Sequence, residues 1–153
     1  MTTVAPLLNM LPPEGRDRMM ELATETTFAG GTRIFEEGSR ADRFWIIRTG
    51  SVDLDMHVPG RRAAFVEQLG PGDLLGWSWL FPPRIWHLGA AAATPVRALE
   101  FDAAKVRALF DEEPELYQAL TLRIAEVIAH RLQSARGRLL DLYGPAGGGN
   151  LRR

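Results

Sequence analysis

Cysteine is missing from the sequence, and its absence excludes disulfide bonds, thiol catalysis, iron–sulfur clusters and zinc sites built on thiolates. The sequence also lacks an uncharged apolar run near the roughly 18 residues of a membrane-spanning helix, and the basic, then apolar, start of a signal peptide. The sequence has no excess of basic residues either, since it contains 18 Lys and Arg and 19 Asp and Glu. This balance of charge argues against nucleic-acid binding. We therefore expect a soluble cytoplasmic protein that does not associate with a membrane.

The length and composition are those of one ordinary globular domain. The 153 residues are 46% apolar and 24% charged, and a chain of this size buries roughly two-thirds of the surface that it exposes when unfolded. A hydrophobic core is therefore available without disulfides or metals. We expect no cofactor.

Short strands are predicted for about residues 24–101. Gly and Pro recur there every 6 to 12 residues, with β-branched and aromatic residues between them, which is typical of all-β sandwiches and barrels. Residues 44–48, FWIIR, are almost all apolar, which predicts a strand covered on both faces. Residues 52–58 alternate apolar and polar, and the turn that follows them predicts a hairpin with residues 63–69.

Helices are predicted on both sides of the strands. Residues 7–23 form a short helical lead-in, and residues 102–110 form a helix with Asp102 as its N-cap. A longer helix is predicted for about residues 115–142, because apolar residues recur there at steps of three and four. A Gly-rich run ends this helix, and we expect residues 144–153 to be a disordered tail.

Three motifs, in order, carry a resemblance to a known family. Residues 28–38, FAGGTRIFEEG, resemble F-x-x-G-x-x-I-x-x-E-G. Residues 41–52, ADRFWIIRTGSV, resemble A-D-x-F-Y-x-I-x-x-G-x-V, and residues 69–76, LGPGDLLG, resemble L-x-x-G-D-x-F/I-G. With two helices behind them, the chain resembles the cyclic nucleotide-binding domain, the effector half of CRP/FNR-type regulators, over about residues 11–143. The resemblance implies a mainly β fold in one domain at residues 1–143: a double-stranded β-helix or jelly roll with flanking helices, the last of them long.

In that family the ligand contacts lie in the segment that follows Gly76. The family pattern is G-E-x-x-L-F, a loop, and then R-S/T-A. Its Glu accepts a hydrogen bond from the ribose hydroxyl, and its Arg pairs with the cyclic phosphate. This sequence keeps Gly76, but Trp77 stands at the Glu position and Trp86 and His87 stand at the Arg-Ser position.

These changes alter the chemistry that the resemblance implies. Indole only donates hydrogen bonds, so Trp77 cannot accept one from a hydroxyl. Trp86 carries no charge, and a buried phosphate without a partner is strongly disfavoured. We therefore expect weak or no binding of cAMP and cGMP. Arg84 or a protonated His87 is the alternative partner for a phosphate; a solvated Arg84 and a hydrogen-bonded structural His87 are the simpler interpretations.

An aromatic cluster stands in place of the acid and the guanidinium. Trp77, Trp79 and Trp86 lie within ten residues of one another. They indicate one of two arrangements. Either they line a pocket for an apolar or planar small-molecule effector, or they fill the cavity that holds the nucleotide in the family. Trp77 and Trp79 would share a face on a strand, whereas on the family's short helix they diverge and one of them points inward. The candidate ligand-binding residues are Gly76, Trp77, Ser78, Trp79, Arg84, Trp86, His87 and, on the long helix, Ser134.

Catalysis and DNA binding are not expected. The histidines are isolated from one another, so the metal site of a cupin is not predicted, and Asp53, Asp55 and His57 fit the wet outer face of a sheet. No nucleophile elbow, P-loop or dinucleotide fingerprint is found. A Gly-rich run stands where a helix-turn-helix would follow the long helix, so we expect this chain alone not to bind DNA.

The long helix is the predicted dimer contact. Its apolar stripe is longer than a small roll can cover, and two-fold dimers are the commonest oligomers; packing within one chain is the alternative. The predicted dimer residues are Leu120, Ile124, Val127, Ile128 and Leu132. Our hypothesis is a stand-alone, homodimeric sensor or regulatory domain that acts through signal-dependent contacts with a protein partner. A genuine cAMP- or cGMP-binding protein and a ligand-free interaction module are the alternatives.

Overall fold

A computed structural model describes residues 7–60 and 63–143, and the tail expected at residues 144–153 lies outside them. The strands are β1 (Thr24–Phe28), β2 (Arg33–Phe35), β3 (Arg43–Thr49), β4 (Val52–Met56), β5 (Ala64–Leu69), β6 (Leu74–Leu75), β7 (Gly89–Ala92) and β8 (Val96–Asp102). The α-helices are α1 (Pro13–Met20), α2 (Ala103–Glu112) and α3 (Pro114–Tyr143), and short 3-10 helices cover Leu7–Met10 and Ser78–Leu80.

The strands form two four-stranded sheets in which every pairing is antiparallel. One sheet has the order β1-β8-β3-β6 and the other has the order β2-β7-β4-β5. The last strand in the sequence, β8, therefore lies between β1 and β3, with Leu99 opposite Ile46. This arrangement confirms the predicted jelly-roll fold with flanking helices.

Strand β3 is buried on both faces. Its four residues from Phe44 to Ile47 are all buried, as the apolar run in the sequence predicts, because neighbouring residues on a strand point to opposite faces. The ring of Phe44 stacks on the ring of Phe101 with 4.8 Å between their centroids. This aromatic contact packs β3 against β8.

Strands β4 and β5 form the predicted hairpin. Val52 pairs with Leu69 and Met56 pairs with Ala64, while residues 61 and 62 of the connection lie outside the described residues. Val52 and Leu54 are buried and Asp53 and Asp55 are half-buried, as expected for a strand with one face on the core and one face towards solvent.

Helices α2 and α3 begin at residues that favour a helix start. Asp102 is the N-cap of α2, and its carboxylate accepts a hydrogen bond of 3.2 Å from the backbone N–H of Lys105. Helix α3 begins at Pro114, a residue that suits the first helical position because it needs no N–H there. It continues to Tyr143, so the chain carries the long C-terminal helix of the predicted fold.

The chain divides into two compact units, of which the first ends at Ala119 and the second begins at Leu120. The strands, α1 and α2 belong to the first unit, and the described part of the second unit is the remainder of α3. Among residues 7–60 and 63–143, no helix combines the length and the hydropathy that crossing a bilayer requires.

Candidate functional site

The segment that carries the candidate ligand residues connects β6 to β7. It contains one turn of 3-10 helix at Ser78–Leu80, where the resemblance implies a short helix. Residues two apart on a helical turn point in different directions, and the two tryptophans on either side of Ser78 do so. Trp79 is 0% exposed, whereas Trp77 is half-buried.

Trp79 belongs to the core of the roll. Its ring stacks on the ring of Phe44 with 4.2 Å between the centroids, and its indole N–H donates to the backbone oxygen of Gly76 at 2.9 Å. The ring is thus fully buried and its polar atom is bonded within the chain. The structure therefore gives Trp79 a packing role, and its contact with a ligand stays a prediction.

Trp86 is also buried, and it lies directly on the backbone of Gly76. It is 5% exposed and stacks on Phe35 at 3.9 Å between centroids, with Trp45 at 6.3 Å. A Cβ atom built on Gly76 would lie 2.5 Å from a carbon atom of the Trp86 ring, and Gly76 has a φ of +97°. The glycine thus gives the indole the space that a side chain would occupy.

Phe35 and Trp45 are members of this cluster that the sequence does not indicate as site residues. Both lie inside the quoted motifs, where they are explained as structural positions. Their rings are 5.8 Å apart, and the indole N–H of Trp45 donates to the carboxylate of Glu100 at 2.9 Å. Phe35 lies on β2 and Trp45 on β3, which belong to different sheets. They meet Trp86 only in the folded protein, so the local sequence does not reveal the contact.

His87 lies at the surface beside Trp77. Its ring is exposed, its Nδ1 atom is 3.4 Å from the Oγ atom of Ser78, and its ring stacks on Trp77 at 6.0 Å. Ser78 is 4% exposed. The structure thus brings Trp77, Ser78 and His87 together, and the imidazole contacts the hydroxyl as a structural histidine would.

Arg84 lines a different surface from Gly76 and Trp86. Its backbone has a φ of +56°, the left-handed region that residues with a Cβ atom rarely adopt. Its side chain lines a cleft of about 710 Å³ together with Arg107 and residues near the start of α2, and neither Gly76 nor Trp86 lines this cleft. Arg84 and the Trp86 ring, which stands in place of the family's Arg, therefore do not line the same cleft.

The second unit carries the remaining candidate residues. Ser134 is half-buried on α3, and its contact with a ligand stays a prediction. Leu120 and Ile124 are 0% and 1% exposed, while Leu132 is 61% exposed; Val127 and Ile128 are half-buried. Of the predicted dimer residues, therefore, Leu120 and Ile124 have almost no exposed surface to offer a partner.

The outer face of β4 carries paired side chains. Asp55 forms an ion pair with Arg33, and this hydrogen bonding raises the pKa of Arg33. Asp53 accepts a hydrogen bond of 2.9 Å from the amide of Gln68. Among the residues that the structure describes, no group of three or more Cys, His, Asp or Glu side chains is placed to hold a metal ion.

Comparison with known sequences gives the family. The model of the cyclic nucleotide-binding domain matches residues 25–113. The CRP-like cAMP-activated global transcriptional regulator of Mycobacterium tuberculosis is 31% identical over 115 residues, which are 75% of this chain and 50% of that protein. The chain belongs to the cyclic nucleotide-binding domain family, and it spans about half the length of the curated relatives that it matches.

Comparison with solved structures agrees with this family. The N-terminal domain of a transcriptional regulator from Streptomyces coelicolor A3(2) has a TM-score of 0.69 and 27% identity, over 82% of this chain and 90% of that chain. The catabolite activator protein of Thermus thermophilus has a TM-score of 0.71 and 25% identity, over 88% of this chain and 62% of that chain. The chain is a regulatory or sensor domain similar to CRP-like regulators.

Proposed function

We propose that this chain is a regulatory domain whose family pocket is rebuilt around aromatic side chains and no longer recognises cAMP or cGMP. The observation that carries the proposal is the position of Trp86. Its ring is 5% exposed and lies on the backbone of Gly76, where a Cβ atom would approach to 2.5 Å. The space next to the glycine that ends the third motif is therefore filled by an uncharged ring.

The electrostatics of the segment support the same proposal. A cyclic phosphate carries a negative charge, and its transfer to a buried site requires a paired cation or several hydrogen-bond donors. Trp86 offers no charge, and Trp77, at the Glu position, offers a donor where the ribose hydroxyl needs an acceptor. His87 is exposed and already contacts Ser78.

The burial of the tryptophans also favours a second candidate, a ligand-free interaction module. Trp79 is 0% exposed and its indole N–H is bonded, and Trp86 is almost as well covered. In this candidate the aromatic cluster stabilises the roll, and the surface formed by Trp77, Phe81 and His87 contacts a protein partner. The two candidates differ in one respect, which is whether a planar or apolar metabolite raises the unfolding temperature.

Calorimetry with cyclic nucleotides tests the main proposal. Titration of the full chain with cAMP and with cGMP is expected to give no saturable heat up to about 1 mM ligand, because neither family contact exists. Saturable binding of either nucleotide in the micromolar range would contradict the proposal. It would instead favour a phosphate partner such as Arg84 or His87.

A pair of variants tests the reason for the loss. The double variant Trp77→Glu, Trp86→Arg restores the acceptor and the guanidinium, and we expect it to bind cAMP. Trp77→Glu alone is the matched control; it restores no countercharge for the phosphate and is expected to give no binding. A double variant that is folded by circular dichroism but still does not bind cAMP would show that these two residues are not the reason.

We further propose that the chain forms a homodimer through α3. Apolar residues recur along α3 at alternating intervals of three and four positions, which is the spacing of a coiled-coil interface. The seam comprises Ala125, Ile128, Leu132, Ala135, Leu139 and Leu142. Its three leucines are 61%, 54% and 71% exposed, so a large apolar surface of this helix is free in the single chain.

The mode of action follows from the proposed dimer and the relatives. We place the protein in the cytoplasm and infer that it acts through signal-dependent contacts with a protein partner. The support is that the curated relatives are transcriptional regulators, which work by contacts with other macromolecules.

A further inference from the structure

Arginines dominate the cleft that lies beside the start of α2. The cleft has a volume of about 710 Å³. The charged residues that line it are Arg40, Arg43, Arg84, Arg107, Asp42 and Asp102. Its wall therefore carries more positive than negative charge, although the chain as a whole has a net charge of −1.

Three of these four arginines form no ion pair with a carboxylate among the described residues. Arg43 pairs with Glu100 at 3.3 Å, but Arg40, Arg84 and Arg107 form no ion pair with a carboxylate among residues 7–60 and 63–143. Arg107 donates from Nη1 to the backbone oxygen of Trp79 at 2.8 Å. The Nε atom of Arg84 is buried and has no hydrogen-bond partner in the described part of the chain.

The two guanidinium groups are close enough to affect each other. Burial lowers the pKa of Arg107, the charge of Arg84 lowers it further, and Asp102 raises it. Both side chains are half-buried, so water screens their repulsion less than at an open surface. The free protein thus holds two like charges together, and an anion between them would relieve this repulsion.

The backbone at Arg84 is consistent with a binding role. Its φ of +56° is the only left-handed angle of a residue other than glycine among the described residues. The surrounding loop nevertheless holds this conformation, since the carbonyl of Arg84 accepts from Ala41 N–H at 2.8 Å. Residues held in disfavoured backbone conformations concentrate at binding and active sites.

An aromatic wall adjoins the arginine pair. A second recess of about 320 Å³ shares Arg84 and Arg107 with the cleft and adds Leu80, Phe110, Asp111 and Tyr117. Tyr117 is 48% exposed, and its ring lies 4.8 Å from that of Phe110 between centroids. A planar group bound next to the guanidinium pair would therefore have an apolar surface to pack on.

We propose that Arg84 and Arg107 bind the phosphate of a small aromatic phosphomonoester, whose ring packs against Tyr117. Guanidinium groups suit this ligand because they donate paired hydrogen bonds to phosphate oxygens. A small molecule is favoured over a phosphorylated protein segment because both arginines lie half-buried within a concave site. The site does not include Gly76 or Trp86, so it is distinct from the family pocket described above.

Calorimetry with phenyl phosphate and with inorganic phosphate tests this site in the full chain at constant ionic strength. Phenyl phosphate is expected to bind more tightly than inorganic phosphate and to raise the unfolding temperature. Arg84→Gln and Arg107→Gln are each expected to weaken binding of both ligands at least tenfold. Tyr117→Ala should remove the preference for phenyl phosphate while leaving the affinity for inorganic phosphate unchanged.

A charge-matched control and a stability measurement separate binding from folding. Arg97→Gln removes one exposed arginine on β8, five residues and so about 16 Å from Asp102 along the strand, and it should leave binding unchanged. Without ligand, Arg84→Gln is expected to unfold at the same or a higher temperature, because a repulsion has been removed. If Arg107→Gln does not fold, the two variants of Arg84 test the proposal without it. These are Arg84→Gln and Arg84→Lys, and the lysine keeps the positive charge but lacks the paired donors of a guanidinium group.

Three results would overturn the proposal. The first is no saturable binding of either phosphate up to about 10 mM. The second is binding that Arg84→Gln leaves unchanged, which would assign the phosphate to another surface. The third is binding of a phosphoserine peptide without binding of phenyl phosphate, which would make the cleft a protein-docking site.

Discussion

Gly76 has two properties that an alanine at the same position would lack. Its φ of +97° lies in the left-handed region, and its missing Cβ atom leaves room for the Trp86 ring. The motif that contains Gly76 explains only the first property, since a tight corner needs a positive φ. The second property connects the glycine to the residue that stands in place of the family's Arg.

We predict that Gly76→Ala destabilises the protein by about 2–5 kcal/mol, from roughly 1–2 for the left-handed backbone and 1–3 for overpacking against Trp86. Gly31→Ala is the matched control, because Gly31 has a φ of +89° but no heavy atom within 4 Å of the position that a Cβ atom would take. It should cost only the backbone contribution. Urea unfolding measures both, and equal losses would mean that the contact with Trp86 has no energetic weight.

Helix α2 depends on a single side chain for the start of its hydrogen-bond pattern. The carboxylate of Asp102 accepts from the N–H of Lys105 at 3.2 Å, and otherwise that donor has no partner within the helix. We predict that Asp102→Ala lowers the free energy of unfolding by about 1 kcal/mol, within the usual range of roughly 0.5–2. Asp102→Asn keeps the acceptor and should stay within about 0.5 kcal/mol of the wild type. Chemical denaturation compares the three proteins, and an equal loss in Asn and Ala would rule out the capping role.

The elements show which features can be predicted from sequence. The cap at Asp102, the two-faced burial of β3 and the β4–β5 hairpin are local, because each depends on residue types within a few positions. The order of strands is not local: β8 lies between β1 and β3, although more than 40 residues separate it from β3 in the sequence. The sequence motifs supply that order only through the family that they resemble.

The candidate site also has features that the sequence predicts and features that it does not. The replacement of an acid and an arginine by Trp77 and Trp86 is visible in the sequence. The partners of Trp86 are not, since Phe35 comes from a different strand and reaches it only in the folded roll. The direction of Arg84 is equally hidden, because it depends on a left-handed backbone angle that an arginine side chain does not favour.

At the scale of the whole molecule, the proposed dimer depends on the part of α3 beyond its first buried turns. Leu120 and Ile124 are almost fully covered in the single chain, whereas Leu132 and Leu139 are more than half exposed. Each leucine that becomes buried contributes roughly 1.5–3 kcal/mol. A two-fold seam buries every such residue twice, so a few leucines suffice for a stable dimer.

Sedimentation equilibrium of Leu132→Glu tests this seam. The substitution removes one apolar contact from each protomer, at least about 3 kcal/mol in all, and places two like charges at the interface. It should therefore weaken the dimer more than 100-fold. Leu140→Glu is the control: Leu140 is 62% exposed but lies about 100° around the helix from Leu139, outside the seam, and its change should leave the dimer intact. A wild-type chain that stays monomeric up to about 100 μM, or equal dissociation by both variants, would mean that the exposed leucines of α3 do not join two copies.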